Sequence, residues 1–124
     1  MNVVDSSAWL EYFADGPNAA AFARPIESPA TLLVPTVSLY EVFKRVCQQR
    51  DEEAALRAVA MMEQGRVVDL DQVTALEAAR LSLAHGIPMA DSIMLATALR
   101  EKATLWTQDA DFAGIESVKY FPRN

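Results

Sequence analysis

Short apolar runs alternate along this chain with longer stretches whose apolar residues recur every three or four positions. Asn2-Val3-Val4-Asp5 reads as a buried strand, and Ser6-Ser7 then offers caps for a helix faced by Trp9, Leu10, Tyr12 and Phe13. Gly16-Pro17 breaks the chain, an alanine-rich helix runs to about Ile26, and Ser28-Pro29 breaks it again. Thr31–Val34 is the second strand. A helix over roughly Val37–Gln49 follows, with Leu39, Val42, Phe43 and Val46 inward. Glu52–Glu63 is helical with apolar residues on more than one side, and Arg66–Leu70 is a third strand. Asp71 caps a helix whose Val73, Leu76, Ala79 and Leu83 share one face, and His85-Gly86 closes it. A helix over about Ala90–Lys102, a strand at Thr104–Thr107, a turn or helical start at Asp109–Phe112 and a strand at Val118–Phe121 complete the pattern.

Strands alternating with helices predict an α/β fold with a parallel or mostly parallel sheet covered on both faces. In such sheets ligands bind outside the carboxyl ends of the strands. Asp5 and Asp109 directly follow the first and fourth strands, and Glu41 and Asp91 lie in early helical turns that reach the same rim. Several acids beside a core repel one another, and a hard divalent cation with oxygen ligands relieves that repulsion.

Each acid also has a structural reading. Asp5 is placed to cap the following helix, and Ser38-x-x-Glu41 has capping-box spacing. Asp91 gains from a helix N-terminus, about 0.3–1 kcal/mol. Asp109 and Asp111 fit a polar turn after a strand. Lys44 and Arg45 stand three and four residues after Glu41, the spacing of helical ion pairs; contact with phosphates is the functional alternative. The aromatic residues Trp9, Phe13, Tyr40, Phe43 and Trp106 read as core.

Composition narrows the chemistry. Cys47 is the only cysteine and His85 the only histidine, so a metal site must be built from oxygen, which favours magnesium or manganese. A net charge of -6 argues against broad electrostatic capture of nucleic acid, though part of that charge would sit in the metal site. The 124 residues fit a single domain over 1–124. The apolar stretches fall short of a bilayer span and no basic segment precedes an apolar one at the start, so a cytoplasmic location is expected, with no membrane partner.

Val-Val-Asp5-Ser6-Ser7, Glu41 after the second strand, Met-Ala-Asp91-Ser92-Ile-Met-Leu-Ala-Thr97-Ala, and Leu-Trp-Thr107-Gln-Asp109 occur in this order over nearly the whole chain. In these motifs the sequence resembles the PIN-domain family, and within it the VapC-type toxins. The resemblance implies a three-layer α/β/α sandwich with a central, mostly parallel sheet. It also implies a magnesium- or manganese-dependent endoribonuclease, a homodimer, and an antitoxin partner that blocks the site. Asp5, Glu41, Asp91 and Asp109 match the family's acidic quartet, with Asp5, Asp91 and Asp109 as metal ligands and Glu41 and Asp111 as further candidates. Ser6 and Thr107 match supporting hydroxyl positions. The fourth corner is the loosest, and Asp109 and Asp111 compete for it.

Two rival readings remain at this stage. One is magnesium-dependent phosphoryl transfer through an aspartyl-phosphate on Asp5, weakened because no second acid follows two residues on. The other is a non-catalytic RNA- or protein-binding module. The apolar helix around Ala54–Met62 is the expected dimer or antitoxin surface.

Overall fold

The computed structural model describes residues 1–123. Its strands are β1 (Asn2–Val4), β2 (Leu32–Pro35), β3 (Arg66–Val68), β4 (Thr104–Thr107) and β5 (Val118–Tyr120). Its helices are α1 (Ser6–Phe13), α2 (Ala19–Ile26), α3 (Thr36–Gln49), α4 (Glu52–Met62), α5 (Gln72–His85) and α6 (Met89–Arg100). Short 3-10 turns occupy Pro29–Thr31 and Ala110–Phe112. The sheet order is β3-β2-β1-β4-β5, and every pairing is parallel.

Successive side chains on a strand point to opposite faces, and that period of two divides the core. Val3, Leu33 and Leu105 align across three strands and pack with Met94, Leu95 and Ala98 of α6 and with Phe112. Val4, Leu32, Val34 and Trp106 turn to the other face, where Trp9, Phe22, Val42, Val46, Ala55 and Met62 from α1–α4 cover them. The result is a three-layer α/β/α sandwich with β1 at its centre, as expected. The loop after β1 therefore opens at the middle of the carboxyl rim.

Helix α5 departs from the expectation. Val73, Leu76 and Leu83 are 63%, 57% and 87% exposed, and Ala79 is exposed as well. The buried face carries Thr74 and Ala78, with Leu81 half-buried. Ala78 meets Ile93 and Ala96, and small side chains on both helices let α5 and α6 approach closely. Close approach won over the larger apolar stripe. Helix α6 consequently lies between α5 and the sheet, with every residue from Asp91 to Ala98 buried.

Boundaries shift by small amounts. Thr31 falls in the 3-10 turn, so β2 starts at Leu32, and β3 stops at Val68, leaving Leu70 44% exposed. Gly86 ends α5 in the left-handed conformation at φ 67°, as the His85-Gly86 signal requires.

Gly65 fits against the neighbouring strand because it lacks a side chain. A Cβ there would lie 2.9 Å from the Leu32 carbonyl oxygen and 3.0 Å from Val34 Cγ2. Backbone cannot swing away as a flexible side chain does, so β3 must move. Gly65→Ala is expected to cost about 1–3 kcal/mol in urea unfolding. A loss below about 0.5 kcal/mol would show that the sheet edge yields freely.

Candidate active site

Five acids gather at the carboxyl rim. Asp5 is 2% exposed and caps α1 in an extended conformation. Its Oδ2 accepts hydrogen bonds from Ser7 Oγ at 2.6 Å and Thr107 Oγ1 at 2.9 Å, with the Ser7 amide farther off at 3.4 Å. The capping role and the rim position thus coexist, and the two hydroxyls make the short contacts.

Thr107 is fully buried and works in two directions. Its hydroxyl donates to Asp5 and accepts from the Asp109 amide at 2.9 Å. One side chain at the end of β4 thereby ties the acid following β1 to the acid following β4. Asp109 Oδ1 in turn accepts from the Asp111 amide at 2.9 Å, which shapes the turn that follows.

Glu41 does not form a capping box. Helix α3 starts at Thr36, so Ser38 falls inside the first turn and its hydroxyl donates to the Pro35 carbonyl at 2.7 Å. Glu41 Oε1 accepts instead from Ser6 Oγ at 2.7 Å, across thirty-five residues of sequence. This bond ties α3 to the start of α1.

Asp91 sits in the first turn of α6 with 9% of its surface exposed. Asp91, Asp109 and Asp111 each offer a carboxylate oxygen, and these lie within 4.8 Å of one another. Asp109 and Asp111 therefore both belong to the cluster at the fourth corner. Asp5 and Glu41 stand outside that tight trio but within its electrostatic reach. Burial first, then the charges of Asp5, Asp109, Asp111 and Glu41, push the Asp91 carboxyl up to about 8. Asp5 is also raised, mainly by burial, against the lowering effect of the Ser7 and Thr107 hydrogen bonds.

None of the four ion pairs among the described residues involves these five acids. Such a cluster of hard oxygen donors, without a side-chain cation, fits a divalent metal ion. The adjoining cleft of about 480 Å³ is lined by Asp5, Ser6, Ser7, Glu41, Asp91 and Asp109, and also by Arg45 and Arg123. The sequence pair Lys44 and Arg45 is split. Arg45 faces the cleft, whereas the Lys44 ammonium lies 5.7 Å from the Tyr40 ring on another face of α3. Gln108 and Arg123 carry no signal in the sequence, and Ser7 reads there only as a helix cap and as part of the Asp5-Ser6-Ser7 motif.

The sequence pattern of the PIN domain matches residues 3–117. This chain belongs to the PIN domain family. Among curated proteins none matches it by sequence. This PIN domain is similar in fold to a chain of a toxin-antitoxin complex from Klebsiella pneumoniae, with TM-score 0.83, 20% identity, and 98% of this chain and 99% of that one covered. It is also similar to Mycobacterium tuberculosis VapC20, a Sarcin-Ricin loop cleaving toxin, with TM-score 0.78 and 18% identity over 94% of this chain and 95% of that one. FitAcB from Neisseria gonorrhoeae aligns with TM-score 0.73 and 19% identity over 98% and 96% of the two chains.

The raised Asp91 pKa links the PIN site to stability. Native Asp91 keeps its proton from pH 3.8 up to about 8, whereas the unfolded chain releases it near 3.8. The native state binds more protons in that window, so this contribution to stability falls as pH rises through it. EDTA-treated protein is expected to melt lower at pH 8 than at pH 5.5, and Asp91→Asn to flatten that difference. Magnesium is expected to raise the melting temperature more at pH 8. Identical pH profiles for parent and variant in thermal melts would refute the linkage.

Proposed function

We propose that this chain is a divalent-metal-dependent endoribonuclease that acts as the toxin of a toxin-antitoxin pair. The observation that carries the reading is the convergence of Asp91, Asp109 and Asp111, with Asp5 and Glu41 beside them, at the carboxyl rim of a PIN fold. The toxin descriptions of the structural relatives support it, and that of VapC20 names cleavage of the Sarcin-Ricin loop.

Asp5, Asp91 and Asp109 would hold the metal, with Asp111 as a further oxygen donor beside them. Magnesium or manganese bound there supplies positive charge for the phosphate and acidifies water for in-line attack. The residues supply the positioning. Ser7 and Thr107 hold Asp5 in one orientation, and Thr107 couples it to Asp109. Ser6 engages Glu41 Oε1 and leaves Oε2 available to orient a water molecule or accept its proton. Arg45, on the cleft wall, would meet a substrate phosphate. An aspartyl-phosphate on Asp5 is disfavoured, because that carboxylate is buried and its Oδ2 is already engaged by two hydroxyls.

On this reading the toxin acts in the cytoplasm, residues 1–124 form one domain, and a cognate antitoxin blocks the acidic cleft. Among the described residues no helix is long and apolar enough to cross a membrane. The surface read from sequence as an interface, Ala54–Met62, inserts Ala55, Ala58 and Met62 into its own core and exposes Leu56 and Met61. A second unpartnered face is on α5, where Val73, Leu76 and Leu83 would be covered by a second copy.

Purified chain, freed of any co-purified protein, is expected to cut labelled RNA with magnesium or manganese and to stop in EDTA, leaving 5'-phosphate and 3'-hydroxyl ends. Asp5→Asn and Asp91→Asn are each expected to slow cleavage by about a hundredfold or more. Equal rates in parent and variants would reveal a contaminating nuclease and defeat the assignment. Light scattering is expected to give a dimer at tens of micromolar, and Leu76→Glu with Leu83→Glu a monomer. An unchanged dimer in that variant would exclude the α5 face.

A further inference from the structure

Arg123 reaches the acidic cleft by a route unrelated to the acidic motifs. Strand β5 runs parallel to β4, with Tyr120 in register with Thr107, so the chain leaves the sheet at the same rim. The Phe121 amide extends the ladder by donating to the Thr107 carbonyl at 2.8 Å. The Phe121 ring stacks on Trp106 at 5.8 Å and meets Phe22 edge-on at 5.3 Å. These contacts fix the segment one residue before Pro122.

Asn18 fixes the next step. Its side-chain amide donates one hydrogen bond to the Pro122 carbonyl and one to Gln108 Oε1, both at 3.1 Å, which uses both of its N–H groups. Its own backbone amide is anchored by Glu11 Oε2 at 2.8 Å. Gln108 is buried at the end of β4, beside the site, and lines the cleft. Asn18 thus clips the backbone immediately before Arg123 to the rim that bears Asp109.

Among the described residues, the guanidinium so delivered has no carboxylate partner. Among the described residues, Arg57, Arg66, Arg80 and Arg100 form ion pairs, and neither cleft arginine does. A pair of arginines serving to neutralise the acids would contact them. Arg45 and Arg123 instead line the same cleft as the acids without pairing, which leaves their donors free for an incoming anion. Guanidinium donors match phosphate oxygens in a two-point geometry.

We propose that Arg123, held at the cleft by the Asn18 clip, binds a backbone phosphate of the substrate in addition to the phosphate met by Arg45, and that Asn18 is its positioning residue. This rests on the nuclease reading. The substrate strand would then be gripped at two phosphates.

Arg123→Ala, Arg123→Lys, Asn18→Ala and the double variant Asn18→Ala with Arg123→Ala would be compared with the parent, with melting temperatures confirming that each folds. RNA cleavage in magnesium gives kcat and KM, and binding of the same RNA in EDTA over a salt series gives the number of phosphates contacted. Arg123→Ala is expected to raise KM about tenfold with kcat nearly unchanged, and to reduce the slope of log affinity against log salt by about 0.7, one single-strand contact. Arg123→Lys is expected to keep the slope and recover part of the KM. Asn18→Ala is expected to raise KM in the same way, and the double variant to be no worse than Arg123→Ala alone, because both act through one guanidinium.

An unchanged slope and KM in Arg123→Ala would overturn the proposal while leaving the nuclease reading standing. Additive losses in the double variant would overturn the positioning role of Asn18; if Asn18→Ala fails to fold, the two Arg123 variants still decide the phosphate contact. RNA that binds without being cut by the parent would defeat the nuclease reading, and the salt slope would still test Arg123. Absence of any RNA binding by the parent would overturn both.

Discussion

The structure turns on the burial of carboxylates that the fold brings together at one end of the sheet, with their mutual repulsion added to it. Asp91, in the first turn of α6, is 9% exposed and lies within reach of four other acids. Each buried charge raises the cost of ionising the next. An acid raised to about 8 is mostly protonated near neutral pH, so ionising the metal-free site carries a strain that a cation removes. The same arrangement that weakens the empty fold is what gives a divalent ion its affinity.

The hydroxyl groups settle how that strain is distributed. Ser6, Ser7 and Thr107 donate to Glu41 and Asp5, so these two acids have fixed orientations before any ligand arrives. No side-chain donor among the described hydrogen bonds serves Asp91, and Asp109 Oδ1 accepts only a backbone amide. The anchored pair and the looser pair have different uses. Oriented carboxylates suit positioning of water and charge, whereas acids without strong internal partners are free to turn toward a cation. Thr107 joins the two groups through one buried oxygen, and a change there would disturb both at once.

How much of this was legible follows from the range of each signal. Strand alternation is local, so the sandwich, the order of elements and the acids at strand ends could be read directly. The face of α5 could not, because Val73, Leu76 and Leu83 obey helical spacing as well as any core stripe does. What excluded them was the close contact of Ala78 with Ala96, a pairing across helices that no single-helix pattern records. Ser38 and Glu41 fit a capping box by spacing, but the helix begins at Thr36, three residues too early for that use. Lys44 and Arg45 are neighbours in sequence and point to different faces, since adjacent helical residues are separated by about 100°. Arg123 carries no motif at all. Its place depends on a parallel ladder, an aromatic stack and an asparagine more than one hundred residues earlier.

The layout also explains how an acidic chain could handle a polyanion. Seventeen acids face eleven basic residues over the whole sequence. Five of those acids, Asp5, Glu41, Asp91, Asp109 and Asp111, belong to the rim cluster, which leaves twelve against eleven elsewhere. The excess negative charge is therefore concentrated where a metal would cancel it. With the cation bound, what a phosphate meets at the cleft is the metal and the unpaired guanidinium groups of Arg45 and Arg123. Without it, the acids weaken the hold of the two guanidinium groups on the strand but do not abolish it. Metal occupancy would then govern substrate approach as well as chemistry, and a bare net charge of -6 says little about either.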